Sequence, residues 1–403
     1  MRNGTDNAYV VIFILYIVST SFIALAYSPL LGFYVPLVYL IFNFGKDFLM
    51  RFLLAAISIL GACFTFSSRN YVSGTIKDDF ANVYLPAFYD VSKGGSIFYE
   101  QFSDGVEFFI TAYFKLISFF FEVSRPNVIM FFTLFLVLVL FYIWIECFVL
   151  KNLDSNKRSL CLATCFSLMA VIVITQNMRQ AISCVFLLYA ISFFLNKKIT
   201  LFIIFWLMAI VSHTTAILVL PLSLTIMKGS KRLRLVLIFT CVGISVLFNV
   251  VIAFLISHNL LGSSTYKLLY YSDTSGVSVD IGYMKFLLIS IVASYLFFDK
   301  NDINKKEYKN LLYYGSLIYL ILIPIPTLPF RIMMLLVVFY NGLLMFYSFY
   351  KKTYFFVLIL LCYNTYKFVT LGPYQNLIEG FGAYMNLWWS YPWAGTSFFY
   401  YVL

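Results

Sequence analysis

Residues 128–149 read VIMFFTLFLVLVLFYIWIECFV, a run in which Glu146 is the single charged side chain. The hydrocarbon core of a bilayer is about 30 Å thick, so a helix needs about 20 mostly apolar residues to cross it. Runs of this kind recur along the chain from Tyr9 to Val369. The pattern predicts an all-α polytopic membrane protein.

The composition excludes a water-soluble globular domain. Of the 403 residues, 62% are hydrophobic and 11% are charged, whereas soluble proteins carry about 25% charged residues. The net charge of +11 comes from Lys and Arg placed between the apolar runs. No block of them is long enough to follow a phosphate backbone, so nucleic acid is not expected as a partner.

The apolar runs predict about thirteen transmembrane helices. Their predicted bounds are 9–27, 30–43, 52–67, 128–149, 160–176, 181–195, 199–212, 214–227, 235–256, 281–298, 310–324, 332–350 and 353–370. Lys and Arg concentrate in loops that alternate to one side only if residues 106–121 do not cross the membrane. We therefore expect that stretch to lie on the periplasmic face as an interfacial helix.

The domain organisation follows from this topology. Residues 1–403 are expected to form a single integral membrane domain. Its outer face would carry three excursions, which are a large loop with interfacial helices at 68–127, a second loop at 257–280, and a periplasmic or re-entrant tail at 371–403. The sequence contains no nucleotide-binding glycine motif and no HExxH, so no cofactor and no metal are expected.

The first loop contains a candidate catalytic segment, DDFANVYLPAFY at residues 78–89. A short helix here would hold Asp78 and Asp79 at its N-terminus, near Tyr84, where the helix dipole favours anions. The carboxylates are then either a general base or cation site, or plain N-terminal caps. Glu107, which precedes the predicted interfacial helix, is expected to be a cap of the same kind.

A second candidate lies in TQNMRQAIS at residues 175–183, where Arg179 is next to Gln180 at a predicted periplasmic helix end. An arginine near a helix end either extends to the membrane interface or serves a binding role. The planar fork of guanidinium donors suits a diphosphate.

Two more candidates are predicted on the same face. His213 lies in AIVSHTTAILVLP at residues 209–221, and Arg331 follows PIPTLPF at residues 324–330. His213 is either a satisfied core residue or a group that binds phosphate and moves a proton. The prolines before Arg331 either fix its direction or simply end a helix.

These segments resemble a known family. NMRQAISCVFLLYAISFFLNKKITLFIIFWLMAIVSHTTAILVLP at residues 177–221 is similar to the Arg-Gln helix, Lys turn and His-Thr helix of EpsG-like and Wzy-type polysaccharide polymerases. DDFANVYLPAFY resembles their first-loop segment. GVEFFITAYFKLISFF at residues 105–120 is similar to the next one, but Phe108 stands where the family often has Pro.

The resemblance implies a membrane glycosyltransferase of the GT-C type in the bacterial inner membrane, with its active site facing the periplasm. It would act as an O-antigen polymerase that joins undecaprenyl-diphosphate-linked oligosaccharides, with a chain-length regulator protein as a further partner. The implied roles are proton transfer by Asp79 or Asp78 with His213, binding of the diphosphate by Arg179, Gln180 and Arg331, and glycan contacts by Tyr84 and Glu107. A flippase or transporter of the same lipid-linked units and an O-antigen ligase are the alternatives.

Overall fold

The computed structural model describes residues 2–68, 78–121, 126–258, 277–297 and 306–371. Within these residues every regular element is a helix, which confirms the predicted all-α class. The helices are α1 (Arg2–Tyr27), α2 (Pro29–Ile41), α3 (Phe48–Ser67), α4 (Leu85–Ser92), α5 (Phe109–Ser118), α6 (Pro126–Trp144), α7 (Ser155–Ser167), α8 (Val171–Ile174), α9 (Met178–Leu195), α10 (Ile199–Ser212), α11 (Ala216–Lys228), α12 (Lys231–Ser257), α13 (Val277–Phe297), α14 (Lys306–Asn310), α15 (Ser316–Leu322), α16 (Leu328–Met334), α17 (Asn341–Ser348) and α18 (Thr353–Leu371).

Several helices are joined by wider π-helical turns. These are Phe80–Tyr84 before α4, Ile145–Val149 after α6, Leu311–Gly315 between α14 and α15, and Leu335–Tyr340 between α16 and α17. Single π-helical turns inside longer helices are frequent at functional sites. The turn at Phe80–Tyr84 lies beside the candidate site described below.

Five helical stretches are long and apolar enough to cross a membrane, and several apolar helices are shorter. The five are Phe48–Ser67, Asn127–Asn152, Met178–Leu195, Leu328–Ser348 and Thr353–Leu371. The chain is thus a multi-pass membrane protein, and the count of thirteen spans stays a prediction. Loop residues 259–276 and tail residues 372–403 lie outside the described part of the chain.

One predicted span is wrong in detail. The run 160–176 is not continuous, because α7 ends at Ser167 and α8 begins only at Val171. Ala170 leaves helical geometry with φ −81° and ψ 71°. The break contains neither Gly nor Pro, so the sequence offers no local signal for it. Packing of α8 against α3 accompanies the break.

The stretch predicted as an interfacial helix contains α5, which has 10 residues and is therefore about 15 Å long; its place at the membrane interface stays a prediction. This length is half the thickness of a hydrocarbon core, in agreement with leaving the stretch out of the span count. Two hydrogen bonds hold α5 in place. The Tyr113 hydroxyl donates to the Phe132 carbonyl at 2.9 Å, and the Lys115 ammonium donates to the Val91 carbonyl at 2.9 Å.

Close helix approach at glycine builds the core around α2 and α3. A Cβ added at Gly61 would lie 2.4 Å from the backbone nitrogen of Phe33. Without a strong hydrophobic force between helices in lipid, such small-residue contacts are a main source of packing energy. Gly61 thus allows α2 and α3 to touch along their backbones.

Glu146 is paired inside the fold, with 11% of its side chain exposed. Its carboxylate accepts from Arg51 Nε at 2.6 Å and from Arg51 Nη2 at 2.8 Å. Arg51 Nη1 also donates to the carbonyls of Gly45 and Lys46. The pair therefore fixes the loop before α3 to the end of α6.

Candidate functional site

A polar cluster of five side chains lies where three separate segments meet at one end of the helices. We call it the Glu107 cluster; its members are Ser103, Glu107, Arg179, His213 and Thr214. The first two precede α5, Arg179 is in the first turn of α9, and the last two join α10 to α11. The sequence placed Arg179 and His213 on the same face, and the structure brings both onto one carboxylate.

Glu107 is the centre of this cluster, and its side chain is 1% exposed. Its Oε2 accepts from Arg179 Nη1 at 2.5 Å. Its Oε1 accepts from the Thr214 backbone N–H at 2.8 Å, the Thr214 hydroxyl at 2.7 Å and the Ser103 hydroxyl at 3.0 Å. The expectation that Glu107 caps the following helix is wrong, because α5 begins after Phe108 and has no side-chain cap.

His213 completes the surroundings of the carboxylate. Its Nδ1 lies 3.0 Å from Glu107 Oε1 but makes no aligned hydrogen bond there. Arg179 Nε is likewise buried without a hydrogen-bond partner. Buried nitrogens with unused hydrogen-bonding capacity are costly unless something satisfies them. The resemblance implied diphosphate binding for Arg179 and proton transfer for His213.

The ionisation of Glu107 follows from these contacts. Burial by itself raises the pKa of this carboxyl, but the contacts with His213 and Arg179 and the backbone N–H of Thr214 outweigh it. The pKa of Glu107 therefore lies well below its ordinary value of 4.5. A carboxylate that is this strongly stabilised is a weak base, so it is better suited to positioning its neighbours than to removing a proton.

A left-handed turn brings Glu107 to this position. Three consecutive residues have positive φ, with Ser103 at 51°, Asp104 at 54° and Gly105 at 82°. Non-glycine residues adopt this conformation at an energetic cost, and such strained backbone clusters at functional sites. The Glu107 N–H donates to the Phe102 carbonyl and closes the turn. The sequence SDG alone did not reveal it.

Aromatic rings support the Arg179 guanidinium. Its central carbon lies 4.0 Å from the ring centroid of Phe102 and 5.8 Å from that of Tyr84, which is within cation–π range. The Arg179 backbone N–H also donates to the Tyr84 hydroxyl at 3.4 Å. Tyr84 is 3% exposed, so it supports Arg179 and leaves little ring surface for a sugar. Burial raises the pKa of Tyr84, and its phenol stays neutral.

The two candidate aspartates differ in their surroundings. Asp78 is fully buried, and its Oδ1 accepts from the Phe80 N–H at 3.1 Å as a cap of the π-helical turn. Asp79 is partly exposed and interacts electrostatically with Arg179 and Tyr84. The structure thus places Asp79 near Arg179 and Tyr84, and Asp79 is the more exposed of the two aspartates.

Gln180 links the two arginines that the sequence assigned to a diphosphate. It is 4% exposed, and its side-chain amide donates to the Arg331 carbonyl. Arg331 lies in α16, which begins after Thr327, a residue with φ 63°. The proline-rich break therefore ends where α16 contacts α9. The side-chain amide nitrogen of Gln180 is engaged in this backbone contact.

The cluster also contains residues that the sequence did not single out. Ser103 and Phe102 come from a loop without a recognisable motif, and in the sequence Thr214 is distinguished only by its place directly after His213. Among the described residues, no three His, Cys, Asp or Glu side chains converge on a possible metal site. The cation that faces Glu107 is the Arg179 guanidinium.

Comparison with known proteins gives one family. The model of the EpsG family matches residues 52–379, which include every member of the Glu107 cluster together with Asp79 and Arg331. Comparison with curated proteins and with solved structures gives no match.

Proposed function

We propose, from the premise that the chain belongs to the EpsG family of polysaccharide polymerases, that it joins undecaprenyl-diphosphate-linked oligosaccharide units into O antigen or a related surface polysaccharide. The reaction would take place at the periplasmic face of the bacterial inner membrane. The observation that carries this proposal is the Glu107 cluster, in which a guanidinium and an imidazole are held around one buried carboxylate.

The cluster suits a ligand with a diphosphate. Arg179 keeps 19% of its side chain exposed and has an unpartnered Nε, while one Nη1 donor is used by Glu107. Helices α9 and α11 both begin at the cluster, so their positive dipole ends face the same region. A diphosphate would take up the free guanidinium donors, and its polyprenyl tail would remain in the bilayer.

The proposed reaction is a glycosyl transfer. A hydroxyl of the acceptor sugar attacks the anomeric carbon of the donor chain, a new C–O bond forms, and the bond to the diphosphate oxygen breaks. Asp79 accepts the hydroxyl proton. Arg179 and Arg331 neutralise the departing undecaprenyl diphosphate, and His213 donates a hydrogen bond or a proton to it.

Glu107 has a positioning role in this scheme. Its low pKa keeps it ionised, so it holds Arg179, His213 and Thr214 in one arrangement before the substrate arrives. Preorganised donors are effective because they need no rearrangement during the reaction. The direct glycan contact that the resemblance implied for Glu107 receives no support from its 1% exposure.

The test is a gel of surface polysaccharide from a strain deleted for this protein and complemented with variants. Wild type should restore a ladder of long chains, whereas Arg179→Ala should leave the protein inserted and give core plus one repeat unit. Lys151→Ala is the matched control, because it removes an exposed cation distant in sequence from the cluster. Loss of one well-placed donor typically slows a reaction by about 10²- to 10³-fold.

Other outcomes assign other functions. Loss of every repeat unit in the deletion strain, single units included, would indicate a flippase or a ligase. A normal ladder from Arg179→Ala would overturn the role given to the cluster. Co-purification with a chain-length regulator would support the proposed partner, and it does not depend on the cluster.

A further inference from the structure

A second concentration of charge lies at the other end of α11, in the turn to α12. We call residues 228–234 the basic hairpin; its cations are Lys228, Lys231, Arg232 and Arg234. Because α11 has 13 residues, the hairpin is about 20 Å from Thr214 and the Glu107 cluster. In the described part of the chain, the one carboxylate paired with these cations is Glu307, whose Oε1 lies 3.5 Å from Lys228 Nζ.

The helix dipole makes this arrangement unfavourable without an anion. Helix α12 begins at Lys231 and has no acidic residue in its first turn. The N-terminus of a helix carries about half a positive charge, so acids stabilise it and cations destabilise it. Here Lys231, Arg232 and Arg234 all lie in the first turn or directly after it. Lys231 and Arg232 are exposed, and no contact with an acid compensates them among the described residues.

Arg234 gives a second, independent observation. It is 9% exposed, and its guanidinium lies 5.0 Å from the ring centroid of Tyr314. Its Nη2 donates to the Met227 carbonyl at 3.2 Å, which caps the end of α11. Its Nε is buried without a hydrogen-bond partner. In the described residues Arg234 forms no ion pair, so the Met227 carbonyl and the Tyr314 ring are the groups seen to stabilise its charge there.

We propose that the basic hairpin binds the phosphate headgroup of an anionic phospholipid. Basic residues at the membrane edge between helices are suited to such headgroups. The neighbouring surface of α12 is apolar and exposed at Leu233, Val236 and Phe239. An acyl chain could therefore pack on this apolar surface directly next to the cations. The charge pattern assigns this hairpin to the cytoplasmic side, which places the lipid in the leaflet opposite the Glu107 cluster.

The test uses the purified full-length chain in detergent. Thermal unfolding is followed while phosphatidylglycerol, phosphatidylcholine or inorganic phosphate is titrated. We expect phosphatidylglycerol to raise the midpoint in a saturable manner, phosphatidylcholine to have little effect, and inorganic phosphate to act only at far higher concentration. A response to inorganic phosphate equal to that of phosphatidylglycerol would overturn the lipid as the ligand.

Two variants locate the site. Arg234→Gln should weaken the apparent affinity for phosphatidylglycerol by about fivefold, the usual contribution of one basic residue near a membrane surface. Because Arg234 also caps α11, a second variant changes only the exposed pair, Lys231→Gln/Arg232→Gln, whose replacement should leave the fold intact and weaken the apparent affinity by about 25-fold.

The matched control is Lys197→Gln/Lys198→Gln, which removes two exposed cations from another loop assigned to the same side. It should bind phosphatidylglycerol as wild type does. Equal losses in the control and in the hairpin pair would mean that the basic residues only orient the protein in the membrane, and the proposal would fail. The readout is lipid binding, so it is independent of the polymerase assignment.

Discussion

Glu107 Oε2 and Arg179 Nη1 lie 2.5 Å apart, although the two residues are separated by 72 positions in the chain. Glu107 precedes the short helix α5, and Arg179 is in the first turn of α9. The contact therefore ties the segment before α5 to the start of α9.

Replacement of Glu107 by Gln should destabilise the protein and abolish long polysaccharide chains. The amide carries no charge, so Arg179 and His213 lose their common anion. Removal of one partner from a buried ion pair costs about 3–5 kcal/mol, and the 19% exposure of Arg179 reduces this figure. Unfolding in detergent and the polysaccharide ladder measure the two effects. Glu107→Asp is the control, because it keeps the negative charge on a side chain that is one methylene group shorter.

The double variant Glu107→Gln/Arg179→Gln tests the pair itself. Each single variant leaves an unpaired group, whereas the double variant leaves none. We expect it to be less destabilised than the sum of the single variants, with a coupling energy of about 0.5–3 kcal/mol. Strict additivity would show that the two side chains do not interact in the folded protein. Activity should remain absent, because the guanidinium is missing.

The pH dependence of stability should report the ionised state of Glu107. Its folded pKa is lowered from 4.5, so its contribution is present above that value and is lost as the pH falls through the folded pKa. Between pH 7 and 5 the stability difference between wild type and Glu107→Gln should not shrink, because Glu107 stays ionised in the folded protein over this range. Below about pH 4.5 it should shrink. Thermal midpoints across this range measure it, and a difference that shrinks already between pH 7 and 5 would contradict the lowered pKa.

Gly105→Ala should impair activity through the left-handed turn. Gly105 has φ +82°, and an added Cβ would lie 3.1 Å from Phe98 Cβ. An L-residue in this conformation costs about 1–2 kcal/mol, and the turn that places Glu107 must shift. Gly94→Ala is the matched control, because Gly94 has φ +101° and open space around it. Its stability should fall by a similar amount while the polysaccharide ladder stays normal.

The buried pair of Glu146 and Arg51 tests whether a charge that matters for stability also matters for activity. Glu146→Gln breaks the bidentate contact with Arg51, whose side chain is 4% exposed. We expect a loss of about 3–5 kcal/mol in stability. Protein that reaches the membrane should still make chains of normal length, since the pair lies outside the Glu107 cluster. Short chains from correctly inserted Glu146→Gln would contradict this assignment.

Much of the architecture could be predicted from the sequence because hydrophobic run length is a local property. Helices α3, α9, α10 and α18 lie within a few residues of their predicted bounds. Arg179 and His213 could also be identified from the sequence, because a charged or titratable side chain at the end of an apolar run is conspicuous. The break at 168–170 was not predicted, since it arises from tertiary packing and carries no Gly or Pro.

The role of Glu107 illustrates what the sequence could not provide. Locally it is an acid before a short helix, which predicts a cap. Three left-handed residues turn the backbone and direct the carboxylate toward α9 and α11 instead. Two of these three, Ser103 and Asp104, are non-glycine residues in a strained conformation. Local propensity does not predict such strain.

The sequence by itself therefore determined that the chain is a helical, multi-pass membrane protein, because several apolar runs reach the length that a bilayer requires of a spanning helix. It also determined which charged residues lie near helix ends. The tertiary structure alone decided that Glu107, Arg179 and His213 share one site and that Glu146 pairs with Arg51. These pairings depend on desolvated contacts between distant segments, and the energy of such contacts exists only once the helices have packed.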